Sequence, residues 1–370
     1  MPCNQGGEKV KKRSNSLIFF TMLLMLSGCG SWSVKNNIIE EISPTILLYV
    51  GRGADKHLEQ ATLIPPLVEE KKRVITANVR LMKEGRIQLN QKYYREMKSG
   101  QLRMLFISKS LAREDILPIV NTMMIDPEIS DRLYLIVVEG DFLAYLNKQV
   151  VKQQEMIEFY LYKMLAHYEQ QGEITVTNLH GFMEAYFSPY ADPKIPLFTT
   201  NGTDLIYKGT ALFHNGKMVG EITTLDDPLF QILNRPTRFQ KLLSLPEQRV
   251  TLGSLHTETK VTVQPTGDVK IYIEGTGRVE EYQGERDLNQ PEAAQQLTRE
   301  LEAVLEQKAA LLVKKLQQLR IDPLRIGERT LGPFSQPYTE ETWKAAWPTM
   351  RVHVDVHLQL ESLGLLKMKK

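Results

Sequence analysis

Residues 291–319 constrain the fold most. Leu297, Leu301, Val304, Leu305, Leu312, Leu316 and Leu319 recur at threes and fours, which draws one apolar stripe down a helix. Pro291 suits a first helical turn, where its missing N–H has no partner to lose. At about 1.5 Å per residue the helix is roughly 43 Å long. A stripe of that length must lie on something. Further on, 351–361 (RVHVDVHLQLE) alternates strictly, so Val352, Val354, Val356, Leu358 and Leu360 line one face of a strand. Before the helix, 258–264 and 269–274 alternate across Pro265-Thr266-Gly267-Asp268 and predict a hairpin. Hairpin, long helix and closing strand together predict an α+β domain in which the helix covers one side of a sheet.

The first half reads differently. Residues 46–50, 74–81, 101–108 and 132–139 are short apolar or alternating runs and predict strands. Residues 111–124, about 141–170 and 176–186 carry helical patterns, the last with Thr177 as a candidate cap. Strands alternating with helices predict a mixed α/β sheet. The proline-rich 189–198 reads as a connection, and Asn201-Gly202-Thr203 as a turn. Residues 205–223 predict a hairpin around His214-Asn215-Gly216, since Asn-Gly between apolar runs is a strong short-range turn signal. Residues 229–245 are mixed, with helical character, between Pro228 and Pro246. The fold class predicted is α+β (mixed α/β).

The amino terminus belongs to a different kind of segment. Lys9, Lys11, Lys12 and Arg13 precede a short apolar run, 17–26, and then Ser27-Gly28-Cys29. Basic block, short apolar run and small residues at the cut are the layout of a secretory signal. Ten residues span about 15 Å as a helix, roughly half the hydrocarbon thickness of a bilayer, so the run is too short to cross as a permanent anchor. Leu26-Ser27-Gly28-Cys29 resembles the lipobox of bacterial lipoproteins. The resemblance implies removal of residues 1–28 and an S-diacylglycerol, N-acyl (palmitate) cysteine at Cys29. Two chains matter physically, because one acyl chain binds only marginally and reversibly.

Charge and cysteine usage follow from that reading. The 370-residue chain has 46 basic and 44 acidic residues, a formal charge of +2. Without residues 1–28, 42 basic and 43 acidic residues remain, a charge of −1. A near-neutral chain argues against nucleic acid as a partner, which demands a basic surface. The two cysteines are Cys3, within the signal, and Cys29, at the lipid site. The mature chain is predicted to hold no disulfide and to rely on its cores.

Catalytic motifs are absent from the sequence. There is no Gly-x-Ser-x-Gly elbow, Walker loop, His-Glu-x-x-His or Cys-x-x-Cys. Gly275-Thr276-Gly277 lacks a third glycine and reads as a strand-end turn. His353, Asp355 and His357 share one strand face about 6.8 Å apart, a spacing open to zinc, although the alternation alone predicts a solvated polar face. Trp343 and Trp347, four residues apart, read as core packing. No catalytic residue, metal or cofactor is predicted.

In order, these motifs resemble the Ger(x)C family, the lipoprotein C subunits of spore germinant receptors. Carrying the resemblance are the lipobox at Cys29, Gly53-Ala54-Asp55 after the first strand, and the block SGQLRMLFISKSLAREDILPIVNTMMIDPEISDRLYLIVVEG over 99–140. Leu179-His180-Gly181-Phe182, Gly209-Thr210-Ala211-Leu212-Phe213, Lys217-Met218-Val219-Gly220, Trp347-Pro348 and Ser362-Leu363-Gly364 follow in family order. Departures are Gly30-Ser31 before Trp32, Ser33 where an acid is common, and Ile125 where the family usually has arginine. The resemblance implies a non-enzymatic subunit lipid-anchored on the outer face of the inner spore membrane. Its implied partners are a membrane-embedded A subunit and a multi-spanning B subunit. It also implies three mixed α/β domains: after the 1–28 signal, an N-terminal domain over 29–200, a small middle domain with a hairpin over 201–245 and a C-terminal α+β domain over 246–370. Two other classes compete. A substrate-binding lipoprotein of a membrane transporter predicts two similar lobes about a hinge, and an envelope hydrolase predicts a catalytic constellation.

Overall fold

The computed structural model describes residues 41–361 apart from 67–69, 153–155, 173, 235–240, 265–266 and 332–337. Among the described residues the architecture is mixed α/β, built on a nine-stranded and a four-stranded sheet.

The nine-stranded sheet has four parallel strands at its centre: Leu47–Arg52, Met104–Ser108, Tyr134–Glu139 and Lys194–Thr200. The strands Leu58–Ile64 and Arg73–Val79 extend it antiparallel on one side. The hairpin Leu205–His214 and Lys217–Thr223 extends it on the other. Helices cover both faces of the centre, so its strands read as unbroken apolar runs. Successive residues point to opposite sides. Leu105, Ile107, Leu135 and Val137 pack with Ile119, Val120, Leu179 and Phe182, from helices Leu117–Met124 and Leu179–Phe187. Met104, Phe106, Ile136 and Val138 pack with Phe142, Leu146, Leu161 and Leu165, from helices Phe142–Val151 and Ile157–Gln171.

The expected strands at 46–50, 74–81, 101–108 and 132–139 are all present. Several features differ from the sequence reading. Residues 194–200 are a strand of the parallel centre, not a connection. Pro196 faces Thr210 on one neighbour, while pairing with Tyr134–Glu139 starts only at Leu197. A proline is tolerated there because it lies beyond the end of one ladder. Residues 58–64 form a strand that the apolar pattern hides, because Gln60 and Thr62 are polar yet buried. Gln60 Nε2 donates to the Met82 carbonyl at 3.0 Å and Thr62 Oγ1 to the Leu47 carbonyl at 2.6 Å, which offsets their desolvation. The helical patterns at 111–124 and 141–170 each divide, into Lys109–Ala112 with Leu117–Met124 and Phe142–Val151 with Ile157–Gln171. Pro118 opens the second helix of the first pair. Asn178, not Thr177, caps the helix Leu179–Phe187, its Oδ1 accepting from Gly181 N at 2.8 Å.

The four-stranded sheet runs Lys241–Leu245, Val250–Val263, Val269–Tyr282, Val352–Glu361. The first three are antiparallel and the last is parallel to Val269–Tyr282. The parallel pairing needs a crossover, and the helix Pro291–Gln318 supplies it. Its stripe of Leu297, Leu301, Leu305, Leu312 and Leu316 packs against Ile271, Ile273, Val356 and Leu358. Leu212 and Ile222 of the 205–223 hairpin join the same cluster. The closing strand is at an edge, where free N–H groups invite foreign strands. Glu306 Oε1 accepts from Val356 N at 3.0 Å and Glu302 Oε1 from Leu358 N at 2.8 Å, so the crossing helix blunts that edge.

Gly275 and Gly277 lie inside the strand Val269–Tyr282, which corrects the turn reading. A Cβ on Gly275 would meet Leu358 Cδ2 at 2.8 Å, and one on Gly277 would meet Leu255 Cδ1 at 3.1 Å. The glycines let neighbouring leucines close over the strand.

Candidate functional site

Cys29, the lipid-attachment residue predicted from the sequence, lies outside the described residues, as do Cys3, Trp32 and the whole 1–28 segment. Among the described residues no helix is long and apolar enough to cross a membrane. Polar constellations join elements at several places in the described body, and three of them bear on the residues singled out in the sequence or on the junction of the sheets.

The first lies at the carboxyl ends of the parallel strands, the usual place for a ligand in such sheets. Lys109 follows Ser108 into a short helix and is 8% exposed. Its Nζ sits 3.1 Å from Glu139 Oε1 and 2.6 Å from Glu221 Oε2. Lys208 pairs with Glu139 as well. The bond from Lys208, with help from Lys109, holds the Glu139 carboxyl below the usual carboxylate range. Lys208 is raised in turn by Glu139. Two cations and two anions cancel, leaving no surplus positive charge for a phosphate or carboxylate. The quartet joins the parallel centre to the 205–223 hairpin, and Lys315 Nζ reaches from the long helix to the Glu221 carbonyl at 2.8 Å.

The second is Gly53-Ala54-Asp55. It forms a tight turn between Leu47–Arg52 and Leu58–Ile64, with Asp55 and Lys56 both left-handed at φ 52° and 61°. Arg52 Nη1 donates to the Lys56 carbonyl at 2.6 Å and Arg52 Nε to Glu114 Oε1 at 2.9 Å, fixing the turn on the helical layer. A Cβ on Gly53 would stand 2.6 Å from Asn78 Oδ1.

The third binds the sheets together. Asp192, just before the strand Lys194–Thr200, accepts from Asp322 N through Oδ2 at 2.8 Å and bonds His214 Nδ1 through Oδ1 at 2.9 Å. Asp322, beyond the long helix, accepts from Ile326 N at 3.0 Å and Gly327 N at 2.8 Å. Lys194 Nζ donates to Asn234 Oδ1 and the Pro323 carbonyl, both at 2.6 Å. A groove of about 250 Å³ opens beside this junction, walled by Tyr190, Trp343 and Trp347. Burial pushes the Asp322 carboxyl up to about 7, with Asp192 adding to the rise and the two backbone N–H groups opposing it. The folded chain therefore holds this proton more tightly than the unfolded chain does. Stability is fullest below the ordinary aspartate range and is lost as pH rises through about 7. We expect unfolding free energy to fall by on the order of 1–4 kcal/mol from this group between pH 4 and pH 8. Asp322→Asn flattens that slope. Urea melts of both chains across the range check it, and equal slopes would contradict it.

None of these arrangements sets a nucleophile beside a base. His214 bonds Asp192, His256 bonds the Ser254 carbonyl, and His57 accepts from Arg80. His353, Asp355 and His357 sit on the exposed face of the closing strand. Among the described residues no group of three His, Cys, Asp or Glu converges as a metal site. Trp343 and Trp347 are core residues, each 2% exposed and stacked at 5.4 Å. Asn201-Gly202-Thr203 is a turn, with Asn201 Oδ1 accepting from Thr203 N and Asp204 N.

Comparison with known proteins gives the family. Residues 37–200 match the spore germination protein N-terminal domain, and 208–364 match the spore germination B3/GerAC-like C-terminal domain. The chain is 21% identical over 360 residues to spore germination protein GerQC of Bacillus cereus, covering 94% of this chain and 98% of that protein. The crystal structure of the GerBC protein shares the fold with a TM-score of 0.50 at 14% identity, over 85% of this chain and 96% of that one. With both halves matched in order, the chain belongs to the Ger(x)C family of spore germination proteins.

Proposed function

We propose that the chain is a non-enzymatic subunit of a spore nutrient-germinant receptor, lipid-anchored through Cys29 on the outer face of the inner spore membrane. It works there with membrane-embedded A and B subunits. The observation that carries this reading is the ordered match of both halves to spore germination domains, behind a lipobox. Among the described residues, interlocking ion pairs and a capped strand edge favour a protein that holds partners in position. The proposed domain limits remain 29–200, 201–245 and 246–370. A transporter's substrate-binding lipoprotein would show two similar lobes about a hinge, and a nine-stranded and a four-stranded sheet are not similar lobes, which does not favour it.

The test is affinity purification of the tagged full chain from detergent-solubilised spore membranes. The reading expects two multi-spanning proteins to come with it in fixed ratio. Recovery with a nucleotide-binding subunit and a permease would overturn it in favour of a transporter.

A further inference from the structure

The helices Phe142–Val151 and Ile157–Gln171 already bury one side each, through Phe142, Leu146, Leu161 and Leu165. Where they meet, a second apolar set faces solvent. Val151 is 81% exposed, Met156 62%, Phe159 50% and Tyr160 62%. All four lie at the end of one helix or the first turn of the next, so they form one local patch rather than scattered surface residues. They contribute nothing visible to the core.

Along these two helices the exposed charges next to the patch are positive, while Asp204 lies in the 201–204 turn that packs beside Lys148 and Gln149. Lys148, Lys152 and Lys163 are exposed on the same two helices, and Lys163 Nζ lies 5.3 Å over the Phe159 ring. Among the described residues from 147 to 167, the exposed ones include no carboxylate; Glu158 is buried in a pair with Lys72. Glu155 lies outside the described residues. Aromatic and aliphatic side chains ringed by lysine stems are the composition of an interfacial membrane contact, because lysine heads reach anionic headgroups while the stems stay apolar.

We propose that this helix-end patch, Val151, Met156, Phe159 and Tyr160 with Lys148, Lys152 and Lys163, seats on an anionic bilayer surface. The proposal rests on the lipid-anchor reading for proximity. Residues 30–41 between Cys29 and the first strand reach at most about 40 Å, which keeps the body within range of the bilayer that holds the acyl chains. The anchor tethers; the patch fixes which side of the body faces the lipid.

The test places a tryptophan in the patch. The full lipidated chain with Phe159→Trp is reconstituted in phosphatidylglycerol vesicles with and without brominated acyl chains, and the parent chain's emission is subtracted. An interfacial side chain lies roughly 5–10 Å into the headgroup boundary, so bromolipid should quench the added tryptophan about twofold. Quenching should vanish in phosphatidylcholine vesicles, and with Lys148→Gln, Lys152→Gln and Lys163→Gln combined. Tyr160→Trp serves as a second probe if the first variant folds poorly. No quenching of either probe in phosphatidylglycerol overturns the proposal. Shielding from aqueous acrylamide that requires a co-purified membrane protein, without bromolipid quenching, also overturns it and assigns the surface to protein. Vesicle flotation of the same samples reads the Cys29 anchor separately. A chain that floats unquenched keeps the anchor and loses the patch. A chain that does not float touches no bilayer, which overturns the anchor and the patch together.

Discussion

Cys29→Ala should move the protein out of the membrane fraction. Lipidation needs the thiol as nucleophile, and cleavage before residue 29 follows lipidation, so the variant should persist as an uncleaved precursor or appear as soluble chain. With the proposed lipid at Cys29 the expected loss is large, because two acyl chains at about 0.8 kcal/mol per buried CH₂ would outweigh a surface patch. The helix-end patch cannot replace it. Fractionation with a mass measurement of the amino-terminal peptide checks the result. A cleaved Cys29→Ala chain recovered undiminished in the membrane fraction would contradict the lipoprotein reading.

Trp347→Ala should strongly destabilise the described body. Trp347 is 2% exposed and stacks on Trp343 at 5.4 Å with ring planes 19° apart. Its Nε1 donates to the Ile321 carbonyl at 2.8 Å. Gln317 Nε2 donates to the Trp347 and Met350 carbonyls, both at 2.9 Å, so the end of the long helix, the loop after it and the start of the closing strand meet at this indole. Truncating a buried tryptophan costs about 3–5 kcal/mol through lost transfer energy and the cavity left behind. Trp347→Phe keeps much of the stack but orphans the Ile321 carbonyl, which costs about 1–3 kcal/mol. Chemical denaturation of the three chains should rank them wild type, Phe, Ala. An Ala variant within 1 kcal/mol of wild type would contradict the packing assigned to this corner.

What was legible in the sequence follows from period and punctuation. The stripe from Leu297 to Leu316 and the alternation over 352–361 survive intact because each element buries a single face. Asn215-Gly216 marks its hairpin because both residues take positive φ, 47° and 78°. The strand Leu58–Ile64 was not legible, since Gln60 and Thr62 become core residues only through bonds to Met82 and Leu47 made on folding. Pro196 hid a central strand because the relief it needs is a ladder end that lies 60 residues away at Val137.

The polar constellations were less legible still. Lys109, Glu139, Lys208 and Glu221 come from four separate elements. Asp192 and Asp322 stand on opposite sides of the long helix in sequence and meet only when the two sheets dock. No local spacing rule links such residues. The Cys29 expectation, by contrast, rests on a contiguous motif and lies outside the described residues.

The central claim is tested most directly in the native spore-former. The gene is deleted and germination is scored against amino acids, sugars and nucleosides, with wild type and Cys29→Ala each restored in turn. The account predicts loss of response to one nutrient class, rescued by wild type and not by Cys29→Ala. Full rescue by Cys29→Ala would contradict the anchor, and unaltered germination on every nutrient in a strain lacking the other receptors would contradict a role in germinant reception.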